Sequence, residues 1–184
     1  EKDAVRLTSI KRKVLETGNP VKVEVPLKNL SGNTEYFDGS LIPRFDTDGK
    51  VNGLIGYFRN VTERKQAENL LSESNEFNSQ IINNALEGII VYDRNLKYQV
   101  WNPFMENFSG LPASEVVGKQ PLDLFPFLKE AGVMGILEKA LNGERNNGVD
   151  FPFTIPTIGK TGWASDTTAP LFNVKNEIIG AIST

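Results

Sequence analysis

A stretch of this chain is written twice. Val23-Glu24-Val25-Pro26 returns as Val149-Asp150-Phe151-Pro152, 126 residues later, and Leu15 returns as Leu141 in the same register. One extra residue in the following loop moves the offset to 127, and Gly32, Thr34, Pro43, Phe45, Gly53 and Ile55 return as Gly159, Thr161, Pro170, Phe172, Gly180 and Ile182. Six identities over these 26 ungapped positions exceed the roughly one or two that composition gives, and they fall on Gly and Pro, where backbone geometry is most demanding. The two segments must therefore share one fold.

The register also predicts how much of each copy is present. Counterparts of Phe77 to Phe127 would fall before residue 1, and Thr184 matches Tyr57. The expected organisation is the C-terminal half of a first domain over 1–61, a linker helix over 62–76, and a second domain over 77–184 that stops before its own exit. The junction from Tyr57 to Leu71 runs from a strand into a charged helix.

Local patterns fill in the elements. Val5, Leu7, Ile10 and Val14 or Leu15 recur at near-helical spacing, and Gly18-Asn19-Pro20 stops that helix. Val21, Val23 and Val25 alternate with Lys22 and Glu24 as a half-buried strand does. Strands over 36–45 and 51–59 follow, joined by the hairpin loop Asp46-Thr47-Asp48-Gly49. In the second copy, short strands over 88–92 and 97–101 flank a turn. Asn102 is a good N-cap, Pro103 suits the first helical position, and Gly110 ends the short helix. Further short helices start near Pro112 and close at Asp123-Leu124-Phe125-Pro126, and Val133, Ile136, Leu137, Ala140 and Leu141 trace one face of a longer one. Strands over 149–155, 163–170 and 178–184 complete the order.

Charge and missing residue types remove whole classes of function. A net charge of −3 and a pI near 5.2 leave no basic footprint for nucleic acid. No apolar run approaches the roughly 18 residues that span a bilayer, and Glu1-Lys2-Asp3-Ala4 opens no signal peptide, so a cytoplasmic setting without membrane contact in this chain is expected. The chain has no cysteine, hence no disulfide, thiolate metal site or thiol adduct with a chromophore. It has no histidine either, which excludes an imidazole ligand for haem or zinc, a Ser/His/Asp triad and a phosphorylatable imidazole. No catalytic or metal-ligating residues are expected.

Several segments resemble the PAS sensory domains with their C-terminal PAC segment: Glu87 to Asp93, Trp101 to Phe104, Phe108 to Gly110, Glu115 to Lys119, Gly162-Trp163, and Asn60 to Lys65 at the close of the first copy. The resemblance implies an α+β fold, a five-stranded antiparallel sheet with helices on one face, preceded here by a partial copy and a linker helix. It implies a sensory module of a signal-transduction protein, such as a two-component sensor histidine kinase, with any catalytic output outside the chain. The family usually carries Asp where this chain has Asn60, so a salt-bridge latch does not transfer to that position. Thr62 is the expected N-cap of the outgoing helix, Glu63 lies in its first turn, and Asn60, Thr62, Glu63 and Arg64 are the expected transmission residues.

Within the linker, Ala67, Leu70, Ser74, Phe77 and Ile81 are spaced 3, 4, 3 and 4, a heptad seam through which two copies would pair as a homodimer. The alternative is an amphipathic helix lying on its own sheet. A small-molecule pocket is implied between sheet and helices, with Tyr98, Val100, Met105, Phe108, Leu122, Ile136, Phe151, Trp163, Ser165 and Thr167 as candidates by position. Most of its apolar members also suit a plain core. Ser165 and Thr167 matter only if their strand turns them inward, and the opposite alternation is equally open. A noncovalent flavin, with Trp101 and Trp163 as electron-transfer neighbours, and a ligand-free dimerisation spacer are the rival readings.

Overall fold

Whether two runs of sequence share a fold is tested most directly by their strand register. A computed structural model describes residues 2–155 and 158–184, with the side chains of 2–4 left aside. Its contacts divide it into two units, Glu1–Asn75 and Glu76–Thr184.

In the first unit, α1 (Lys2–Thr17) ends where Gly18 takes φ +67° and its N–H reaches the Val14 carbonyl at 3.0 Å, a conformation a side chain would strain. Strands β1 (Val21–Lys28), β2 (Thr34–Phe45) and β3 (Val51–Asn60) form an antiparallel sheet in the order β1-β2-β3. Val23, Val25 and Leu41 on one face close over Val14, with Leu7, Ile10, Val21 and Leu54 packed around them. Asn60 leads into α2 (Thr62–Asn83), which buries none of its residues.

The second unit supplies a larger sheet in the order β5-β4-β8-β7-β6, built from β4 (Ile90–Asp93), β5 (Tyr98–Trp101), β6 (Asn146–Ile155), β7 (Lys160–Phe172) and β8 (Ile178–Ser183), all paired antiparallel. Between β5 and β6 come α3 (Pro103–Ser109), α4 (Ala113–Val116), α5 (Pro121–Leu124), a 3-10 turn (Pro126–Leu128) and α6 (Val133–Leu141). Asn102 caps α3 with its side chain, Pro103 holds the first helical position, and Gly110 closes the helix at φ +75°. Tyr92, Tyr98, Trp101, Phe125, Leu137 and Ala181 centre the core between helices and sheet.

The two sheets repeat each other residue for residue. Val23 pairs with Gly39, and their counterparts Val149 and Asp166 pair with each other; Leu41 pairs with Gly56 as Thr168 pairs with Ser183. The bulge between Arg44 and Phe45 recurs between Leu171 and Phe172. Thus β1-β2-β3 corresponds to β6-β7-β8, and the shared Gly and Pro positions mark one strand geometry. In the second unit β8 is also paired with β4, and a Cβ on Gly180 would lie 1.9 Å from the Tyr92 carbonyl oxygen. Its counterpart Gly53 meets only the Arg44 side chain, at 3.5 Å.

Candidate functional site

Five short strands with helices over one face leave a space that small hairpin and loop segments must fill from both sides. In the second unit a cavity of about 470 Å³ remains between them. One wall is an aromatic ladder: Tyr92 and Tyr98 ring centres are 5.0 Å apart, Tyr98 and Trp101 5.2 Å, and Trp101 and Phe125 5.8 Å. The opposite wall brings Phe108 of α3 against Phe153 of β6, with ring centres 4.8 Å apart and Met105 beside them on α3. Such rings give a stiff apolar lining with polarised faces.

One carboxylate belongs to this wall. Asp166 on β7 borders the cavity, and its Oδ2 accepts from the Thr168 hydroxyl at 2.8 Å. Thr168 and Ser183, both buried, lie 2.9 Å apart through their hydroxyls. Burial raises the Asp166 carboxyl above its ordinary range, and the Thr168 and Ser183 hydroxyls pull it part of the way back. Burial likewise raises the Tyr92 and Tyr98 phenols, with the nearby Tyr98 and the Asp166 charge adding to Tyr92, so both rings keep their protons and remain hydrogen-bond donors at neutral pH.

Of the positions expected from sequence, Tyr98, Met105, Phe108 and Phe151 line the cavity together. Trp163, Ser165 and Thr167 border it as well, but all three are exposed, Trp163 at 74%. The inward-facing side of β7 is the other one: Ala164 and Asp166 are partly covered, and Thr168 and Pro170 are buried. The physical cause is the sheet register, in which Thr168 sits opposite buried Ser183 and Pro170 opposite buried Ala181. Ile136 is half-buried and off the wall, because α6 turns Val133, Leu137 and Ala140 inward and Ile136 lies roughly 60° from Val133 around the helix. Val100 and Leu122 are off it too. Asp166, Tyr92, Phe125 and Phe153 are among the lining residues that the sequence reading did not name as pocket candidates. The buried pair Pro43 and Pro170 carried the signal, since it fixes which side of both middle strands faces the helices.

In the first unit two of the expected transmission residues, Asn60 and Thr62, form a compact knot at the start of α2. The Asn60 Oδ1 accepts from the Thr62 N–H at 2.9 Å and from its hydroxyl at 2.6 Å, while the Asn60 amide donates to Glu35 at 3.3 Å. The Thr62 Oγ1 accepts the Tyr36 N–H from β2 at 2.8 Å. Thr62 is therefore not the N-cap: Val61 accepts the first helical bond, from the Lys65 N–H at 3.0 Å, and Thr62 is already inside the helix. The charged tie absent from Asn60 appears one turn later, where Lys65 and Glu24 of β1 meet at 2.9 Å. Glu63 lies in the first turn and Arg64 pairs with Glu68 at 3.2 Å, both pointing along the helix.

The linker positions Leu70, Phe77 and Ile81 are 66%, 63% and 54% exposed, and Ala67 is exposed beside them. Among the described residues there is no group of three or more His, Cys, Asp or Glu side chains placed to hold a metal ion, and no helix long and apolar enough to cross a membrane.

Comparison with known proteins agrees with this architecture. A sequence model described as PAS fold matches residues 76–184, and a second PAS-fold model matches residues 1–66. The PAS domain of a Colwellia psychrerythraea protein is similar over 59% of this chain and 91% of its own, with 16% identity and a TM-score of 0.50. The PAS domain of an HTR-like protein from Haloarcula marismortui is similar over 65% of this chain and 98% of its own, at 18% identity and a TM-score of 0.50. An RNA-binding light-oxygen-voltage receptor is similar over 99% of this chain and 81% of its own, at 12% identity and a TM-score of 0.51. No curated protein matches the chain. With two PAS-fold matches over its sequence and the five-stranded antiparallel sheet under its helices, the chain belongs to the PAS family of sensory signalling domains.

Proposed function

We propose that this chain is the ligand-responsive part of a sensor protein of the two-component histidine-kinase type, working in the cytoplasm as a homodimer. The observation that carries the reading is the cavity of about 470 Å³ in the second unit, which has a size suited to a small organic molecule and is walled by aromatic rings. A ligand there changes the output only through different affinities for two arrangements of its surroundings. Met105 and Phe108 connect the wall to α3, and Asn102 at the start of α3 also holds the last turn of α2. That path gives a bound molecule a route to the helix between the units.

Dimerisation through α2 is supported by its 3-4-3-4 stripe, Ala67, Leu70, Ser74, Phe77 and Ile81, on a helix that buries none of its residues. The occupant of that stripe is the same stripe of a second copy. Catalysis belongs to the parent protein's output domain in this reading.

Native mass spectrometry of the purified chain, paired with an absorption spectrum, tests the ligand. The expected result is a retained or addable small molecule in one-to-one ratio with the chain. A cavity that takes up none of a diverse small-molecule panel sinks the sensory reading in favour of a spacer, and a flavin spectrum released on denaturation replaces it with the redox sensor.

A further inference from the structure

The cavity is one-sided in charge. Asp166 is an acidic residue of its wall, while no Lys or Arg lines it among the described residues, and the sequence has no histidine. The Lys160 ammonium lies against Phe108, one of the lining residues. It sits 4.3 Å from the Phe108 ring centre and donates to the Phe108 carbonyl oxygen at 3.4 Å, so it is engaged at the rim and is not itself a lining residue.

Resting on the reading of this cavity as a ligand site, we propose that it takes an organic ammonium: a molecule with an aromatic or aliphatic body and a protonated amine that pairs with Asp166. Three independent features converge on that class. The carboxylate accepts from the Thr168 hydroxyl, which is itself bonded to the Ser183 hydroxyl, and this fixes its orientation. The Tyr98, Trp101 and Phe125 rings line the cavity, and aromatic rings attract cations as well as apolar bodies. An anionic ligand would stand beside Asp166 with no basic side chain to balance either charge, and desolvation makes such a pairing unfavourable.

The repeat adds a comparison inside the same molecule. Asp166 corresponds to Gly39 of the first unit, whose strand pairs in the same register without a side chain at that position. A Cβ at Gly39 would lie 2.0 Å from the Tyr57 carbonyl oxygen, so the first unit excludes a side chain where the second carries Asp166. A partly buried carboxylate in a cavity wall is a candidate partner for a bound cation.

The test uses the whole chain and three probes of one shape and different charge: 2-phenylethylammonium, 2-phenylethanol and 3-phenylpropionate, titrated at pH 7 by isothermal calorimetry and ligand-observed NMR. The ammonium is expected to bind about tenfold tighter than the carboxylate or better. Asp166→Asn, verified as folded by circular dichroism, is expected to erase that preference while leaving phenylethanol affinity unchanged.

Equal or tighter binding of 3-phenylpropionate overturns the inference but leaves the cavity a ligand site. A preference that survives Asp166→Asn overturns the assignment to Asp166. Failure of all three probes to bind at millimolar concentration removes the ligand-site reading, and the inference with it.

Discussion

The Asn102 side-chain amide donates to the Ile82 carbonyl at 3.3 Å, joining the last turn of α2 to the first of α3. The same amide donates to the Glu87 carbonyl at 2.9 Å, and its Oδ1 accepts from the N–H groups of Ile89 at 3.0 Å and Met105 at 3.2 Å. Asn102 is 1% exposed, and its four side-chain bonds lie in partly buried surroundings. Asn102→Ala should destabilise the second unit by about 3 kcal/mol, since it orphans several buried backbone groups and removes the α3 cap. Urea unfolding followed by tryptophan fluorescence measures it. A loss below about 1 kcal/mol would show that the amide is not the joint between α2 and α3.

Asp166 should make stability depend on pH in the direction opposite to a salt-bridged carboxylate. Its native-state pKa is raised above the ordinary value of 3.8, so the folded chain holds that proton more tightly than the unfolded one. The associated stability is fully present below 3.8 and is lost as pH rises through the raised native value. Asp166→Asn keeps an acceptor for Thr168 and should flatten that part of the profile, leaving neutral-pH stability equal to or above the parent. Thermal melts of both proteins across the acid range decide it; a variant that falls as steeply as the parent contradicts the assignment.

The repeat provides a matched pair of substitutions. Gly180→Ala drives a methyl against the Tyr92 carbonyl oxygen, which a Cβ would approach to 1.9 Å, and should cost about 3 kcal/mol by parting β4 from β8. Gly53→Ala, at the same register in the first unit, meets only the flexible Arg44 side chain and should change stability by less than about 1 kcal/mol. Equal effects at the two sites would remove the argument that β4 pairing is what demands the glycine.

Thr62→Val removes the acceptor for the Tyr36 N–H and the hydroxyl that meets Asn60, while its β-branched shape is kept. A loss of about 1–2 kcal/mol from the first unit is expected. Hydrogen exchange at the Tyr36 amide should accelerate in the variant, and an unchanged rate would separate Thr62 from the strand it is bonded to.

Leu70→Glu together with Phe77→Glu places charge on the exposed stripe of α2 without touching either core. Sedimentation equilibrium should show a dimer for the parent chain and a monomer for the double variant, with circular dichroism unchanged. A parent that stays monomeric at high concentration removes the seam as a dimer contact.

The cavity walls were only partly legible in the sequence. Tyr98, Met105, Phe108 and Phe151 are large apolar or aromatic residues on the elements between which the PAS resemblance implies a pocket, and they do line the cavity. On β7 the pattern was silent, because Trp163, Ser165 and Thr167 and the intervening Ala164, Asp166 and Thr168 mix polar and apolar types on both faces. A strand has period 2, so one unresolved phase turns the whole set over. Thr62 was misjudged for a related reason: its residue type suits a cap, but the Tyr36 N–H on a distant strand claims its hydroxyl.

What the sequence by itself determined is the repeat, the order of strands and helices that both copies share, the cap at Asn102 and the stop at Gly110. These follow from local backbone preferences, which Gly, Pro and Asn impose on their neighbours wherever the rest of the chain lies. Only the tertiary structure decided that Asp166 faces the cavity, that no basic side chain accompanies it there, and that Asn102 reaches back to Ile82. Each of those depends on segments distant in sequence arriving at one place, and the register between strands, not the residues within one, sets who meets whom.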